Sequence, residues 1–238
     1  MTPALDPHML WKGRTAAPLL LIIPGGSGTG IPEKRGFEAI ASEFWCHGFS
    51  CYISVAPGQD GIGGSLKMTE WLRVSREHLL TLREFFRPSA VVLLGSSGGG
   101  SIATHLAAAD LTRSDCLILW ETPSCWSEEC RGDLMKNAAS KGVVLADDFF
   151  EHILESADKA QEVKCQVQFA FGDAKSLPFV QDDVEDARKA FHRSFAETEF
   201  IQIPGADHGL TRGSNPILLR ILTQQMLSFV RRHIVLIT

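Results

Sequence analysis

Short apolar runs bounded by glycine, proline and polar turns recur along the chain, and between them lie longer stretches in which apolar residues return every three or four positions. The runs Leu19–Ile23, Ser50–Val55, Ala90–Leu94, Cys116–Trp120, Gln166–Phe171 and Glu199–Ile203 are short and rich in branched side chains. Their near-continuous apolar character predicts strands covered on both faces, as in a parallel sheet. A weaker candidate lies around Met9–Lys12. The helical stretches are Glu33–His47, which follows Pro32 and stops before Gly48, Met68–Phe86, which stops before Pro88, Gly99–Ala109, Phe179–Ser194 and Pro216–Arg232. Strand and helix alternate, which predicts an α/β fold: a mostly parallel sheet of about six to seven strands flanked by helices.

One connection breaks the rhythm. About 45 residues separate Trp120 from Gln166, where a crossover needs only a dozen or so, and the excess predicts a small helical cap inserted over about 122–163. Asp147 and Asp148 are placed to start a helix whose Phe149, Phe150, Ile153 and Leu154 share one face, and Trp126 through Ala139 suits a shorter one. Such a stripe can pack on the domain or line a substrate entrance, and both can hold at once.

Composition narrows the partners. A chain of 238 residues suffices for one domain with a full core, and 1–238 is expected to be that domain. With 21% charged residues, a net charge of −5 and the two signs interspersed, no footprint for nucleic acid or an anionic membrane is present, so a small-molecule substrate is expected. Residues 1–18 do not read as a signal peptide, and Leu19–Ile23 is too short to span a bilayer. The six cysteines are scattered through core and loop segments without CxxC or HxxxH spacing. Reduced thiols in a cytoplasm, no metal and no cofactor are therefore expected, with monomer and homodimer both open.

The candidate chemistry centres on Gly95-Ser96-Ser97-Gly98-Gly99. Gly95 and Gly99 flank Ser97 in a G-x-S-x-G pattern, and shifting the pattern to Ser96 fails at Leu94. A strand precedes the motif and a helix follows it, the setting in which a sharp turn lifts a nucleophilic serine above the sheet. On these residues the chain resembles the α/β-hydrolase superfamily from Leu19 to the last helix. The resemblance implies a triad in the chain order serine, acid, histidine, and an oxyanion hole built partly from the loop after an early strand.

That loop, Pro24-Gly25-Gly26-Ser27-Gly28-Thr29-Gly30, is similar to the His-Gly-Gly and His-Gly-x-Gly loops of many esterases and of proline iminopeptidases, with Pro24 where histidine is usual. Proline cannot supply the side-chain hydrogen bonds by which histidine orients such a loop. The resemblance implies the N–H groups of Gly26 and Gly98 as oxyanion donors. A phosphate loop is excluded, because Ile31 and Pro32 stand where lysine and a hydroxyl residue would be needed after Gly30. His208 lies beyond the last strand and before the last helix, the superfamily position of the general base. The other seven histidines fall on predicted helices or near the termini. For the acid the resemblance points to the turn Phe171–Pro178, whose one carboxylate is Asp173, although the usual spacing falls on Lys175 counted from Gly172 and on Ala174 counted from Pro178. Glu121, at the end of the preceding strand, is the main substitute; Asp182 and Asp183 follow.

A serine–histidine pair with backbone oxyanion donors suits acyl transfer to water, which opens esters, thioesters, lactones and amides, esters being commonest in the resembling family. Trp126, Phe149 and Phe150, with Trp120, favour a small apolar or aromatic substrate if they face the site. C–C bond hydrolysis or lyase chemistry, acyl transfer to another acceptor, and a slow-turnover ligand receptor use the same scaffold and stay open.

Overall fold

The computed structural model describes residues 5–25, 31–59, 65–122, 158–172, 198–207 and 215–234, with 132, 135, 136, 138, 139, 144–146, 148, 149, 195 and 210. Nine strands are present among them: β1 (Leu10–Trp11), β2 (Leu19–Ile23), β3 (Ser50–Ile53), β4 (Ser65–Leu66), β5 (Val91–Ser96), β6 (Cys116–Trp120), β7 (Val144–Leu145), β8 (Gln166–Gly172) and β9 (Thr198–Ile203). The helices are α1 (Ile31–Cys46), α2 (Met68–Phe86), α3 (Gly98–Ala108) and α4 (Pro216–His233).

Seven strands form one sheet in the order β1-β3-β2-β5-β6-β8-β9, parallel except where β1 runs against β3. Every residue of β2, β5 and β6 is buried, which is why these strands show no polar alternation in sequence. At the edge, β9 is buried only at Ile203. Helix α2 shows the complementary pattern, burying Trp71, Val74, Ser75, His78, Leu79, Leu82 and Phe86 at helical spacing. It ends at Arg87, whose left-handed φ of 46° turns the chain into Pro88. No helix among the described residues is long and apolar enough to cross a membrane.

The six main strands, the short one near Met9–Lys12 and four of the five domain helices are where the periodicity puts them; Phe179–Ser194 lies outside the described residues. Two strands escaped it. β4 and β7 have two residues each, too few for any period, and they pair in parallel as a separate ribbon, Ser65 with Val144 and Leu66 with Leu145. This ribbon ties the inserted segment to the stretch leading into α2. Asp148 tightens the tie: its carboxylate accepts the Met68 and Thr69 N–H groups, each at 3.2 Å, and the Thr69 hydroxyl at 2.8 Å. Lys67, at the N-cap of α2, makes no capping bond of its own, so α2 takes its cap from 80 residues away. Asp148 was expected only to start its own helix.

Candidate active site

Strand register decides which loops become neighbours. Ile23 pairs with Gly95, Ser96 with Trp120, Trp120 with Ala170, and Gly172 with Ile203. The loops that follow β2, β5, β6, β8 and β9 therefore leave the sheet side by side at its C-terminal edge. The chain moves from β2 outward to β3, then returns to β5 on the other side of β2. The crevice between β2 and β5 is thus a topological switch point, the place where open α/β sheets bind ligands.

Ser97 stands in that crevice between β5 and α3 with φ 52° and ψ −130°, a backbone that a non-glycine residue holds at a cost of about 1–3 kcal/mol. Its N–H donates to the Trp120 carbonyl and its carbonyl accepts the Gly100 N–H, both at 2.9 Å. Its side chain makes no capping bond to α3. The flanking glycines answer to space. A Cβ on Gly95 would lie 2.5 Å from Gly100 Cα and 2.7 Å from the Gly99 carbonyl oxygen, and one on Gly99 would collide with the Ile23 and Pro24 carbonyls. The helix start is thereby pressed onto the end of β2, and Gly25 lies against Ser97: a Cβ there would be 3.0 Å from Ser97 Cβ and 3.6 Å from its Oγ. The positive end of α3, beginning at Gly98, faces the same point.

Glu121 also has a left-handed φ, 44°, and is buried. Its Oε1 accepts the Gly172 N–H at 2.8 Å, while its own N–H donates to the Ala170 carbonyl at 2.9 Å, so the end of β6 is tied to the end of β8. The end of β8 packs on the stretch that follows β9: a Cβ on Gly172 would strike the Ala206 carbonyl. Ala206 and Leu210 are fully buried, and the Leu210 N–H donates to the Asp207 carbonyl at 3.0 Å. His208, Asp173, Gly26, Trp126 and Phe150 lie outside the described residues. Phe149 is buried, its N–H donating to the Ala146 carbonyl at 3.1 Å.

Three residues at this edge drew no notice in the sequence. Thr122 is buried directly over Gly100. Gln59, 2% exposed, bridges the Ala56 N–H and the Gly25 carbonyl. Ser54, beyond the end of β3, bonds His78 of α2, Oγ to Nδ1 at 3.0 Å, but Ser54 is 0% and His78 4% exposed, so no substrate reaches that pair. Burial raises the thiol pKa of Cys51, of Cys165 and of Cys116, the last to about 12, which disfavours the nucleophilic thiolate at all three. Among the described residues no cluster of three His, Cys, Asp or Glu could hold a metal ion.

No family model matches the chain, and no curated protein matches it by sequence. Solved structures do. A thermostable carboxyl esterase from Bacillus coagulans, in complex with glycerol, superposes with a TM-score of 0.76 at 12% identity over 95% of this chain and 93% of that one. A structure from the metagenome-derived lipolytic enzymes LipS and LipT gives 0.73 at 14% identity over 97% and 100%. A soluble variant of monoglyceride lipase from Saccharomyces cerevisiae, in complex with a substrate analogue, gives 0.69 at 13% identity over 95% and 91%. Identities this low carry the architecture and nothing finer. With its strand order, its serine turn after β5 and these likenesses, the chain has the α/β-hydrolase fold.

Proposed function

We propose that the protein is a serine hydrolase that cleaves a small, apolar carboxylic ester, thioester or lactone through an acyl-enzyme on Ser97. The observation that carries this reading is the strained Ser97 turn at the switch point, with the backbone of Gly25 against it. In the proposed reaction Ser97 Oγ attacks the acyl carbon while His208 takes its proton. The N–H groups of Gly26 and Gly98 meet the negative charge on the tetrahedral carbonyl oxygen, a contribution of about 3 kcal/mol for each donor. His208 then returns the proton to the leaving group, and water releases the acid by the same steps in reverse. Support for His208 comes from the end of β9 at Ile203, on the edge where β5 also ends. The likeness to esterases and lipases favours ester chemistry on this scaffold. The segment of about 122–163 is read as a cap, with Trp126, Phe149 and Phe150 supplying its apolar contacts to substrate.

Asp173, one residue past the Gly172 held by Glu121, is the proposed acid that orients His208. The buried Glu121 carboxylate at the same edge favours a second reading in which Glu121 does so. A fluorophosphonate should add once to the protein and not at all to Ser97→Ala, and p-nitrophenyl esters should turn over repeatedly. Undiminished labelling of Ser97→Ala would refute the nucleophile. Asp173→Asn should cut kcat by up to about 10⁴ at unchanged Tm, and Glu121→Gln by far less; the reverse result moves the acid to Glu121.

A further inference from the structure

The first two residues after β2 bring no polar side chain of their own. Pro24 has neither an N–H nor a polar side chain, and Gly25 has no side chain. The side chain that holds Gly25 comes from the connection after β3. Gln59 Nε2 donates to the Gly25 carbonyl at 2.9 Å, and Gln59 Oε1 accepts the Ala56 N–H at 2.9 Å. The Ala56 N–H can only donate and the Gly25 carbonyl can only accept, so the two partners fix which end of the amide faces which. A buried amide is costly unless bonded, and both ends of this one are.

We propose that Gln59 is the positioning residue of the oxyanion site, holding the Gly25–Gly26 peptide so that its N–H faces the charge that develops on the substrate. The inference rests on the hydrolase reading above and extends it to a residue that never touches substrate. A trans peptide is planar, with its N–H antiparallel to its C=O, so a hydrogen bond that fixes the Gly25 carbonyl also fixes that N–H. Between two glycines such a peptide rotates at small cost, because neither Cβ resists it. Gly25 is in contact range of Ser97, so a rotation there is felt at the reacting centre. An oxyanion donor stabilises the transition state best when it needs no reorientation at the moment of reaction. Gln59 supplies from outside the loop the restraint that Pro24 cannot.

The test uses Gln59→Met, which keeps the volume and loses both bonds, and Gln59→Glu, whose carboxylate still accepts from Ala56 but offers Gly25 no proton. On a p-nitrophenyl ester both variants should lose about 10–100-fold in kcat, part of what deleting a donor costs, with KM within about threefold of wild type. In Gln59→Met, which adds no charge, the pH midpoint of kcat/KM should not move, because the general base is untouched. Affinity for a trifluoromethyl ketone, which adds to serine and carries the oxyanion, should fall by the same factor as kcat/KM. A folded variant with kcat within about twofold of wild type, or a lower Tm with unchanged kcat per folded molecule, overturns the proposal. If Gln59→Met does not fold, Gln59→Glu decides the matter. Wild-type protein with no Ser97-dependent turnover would instead sink the hydrolase reading and this inference with it.

Discussion

A serine bonded to a histidine occurs in the core, and its surroundings give it a different consequence from catalysis. The His78 imidazole is packed edge-on to the Tyr52 ring, with centroids 5.1 Å apart, and shares Ser54 with Ser75. Burial lowers its pKa from 6.5 to about 4, with Glu77 pulling weakly the other way, so it is neutral in the fold at pH 7. The unfolded chain gains that proton near pH 6.5 and the folded chain only near 4. The stability tied to the neutral ring is therefore complete above pH 6.5 and is lost as the pH falls toward 4, about 3 kcal/mol in all. In urea titrations from pH 7.5 to 4.5, His78→Gln should lose less stability than wild type across that window. Equal acid slopes would refute the account. Neither this pair nor the role of Gln59 was legible beforehand. Ser97 was, because strand, glycines and helix are local to it. Gln59 sits in the turn Pro57-Gly58-Gln59, where it reads as a solvated residue, and its partner Gly25 is a neighbour only in three dimensions.

The contrast between the two long helices α2 and α4 shows what reaches the sequence at the level of elements. Asn215 caps α4 locally, accepting the Ile217 and Leu218 N–H groups at 3.1 Å, with Pro216 at the first turn. The start of α2 is capped by Asp148, and nothing near Lys67 announces it. Long buried strands are read from their continuous apolar runs and amphipathic helices from their repeating period, whereas β4 and β7 are defined by each other alone. The long-range cap also joins the segment between β6 and β8 to α2 through charge-assisted bonds, so Asp148→Ala should cost about 1 kcal/mol and speed hydrogen exchange in the first turn of α2. It should also change relative kcat/KM among acyl chain lengths, since it loosens the tie beside Phe149. Unchanged exchange at Met68 and Thr69 would show that water replaces the carboxylate without loss.

Across the whole molecule the sheet collects five loops at one edge from segments far apart in the chain, which is why the fold and the Ser97 turn were legible while the acid stays a choice between Asp173 and Glu121. A strand end is fixed by pairing, but the length of the turn beyond Gly172 obeys no period. The same connectivity says something about time. Ser97 keeps its unfavourable backbone because its N–H is bonded to Trp120, and Trp120 joins the sheet only when β6 docks on β5. Parallel pairings of this range form slowly, since long loops must close first. Before β6 arrives the serine lacks the bond to its N–H and keeps only the Gly100 bond within its own turn, so an ordinary extended or helical backbone competes with the strained one. A newly made chain should therefore pass through a stage rich in secondary structure yet inert to fluorophosphonate. In refolding from urea, labelling should lag far-UV circular dichroism and rise with the burial of tryptophan, and labelling that keeps pace with circular dichroism would disprove it. On the hydrolase reading proposed above, reactivity is a late arrival of assembly, and a half-folded copy does not acylate itself on a passing ester before its core has closed.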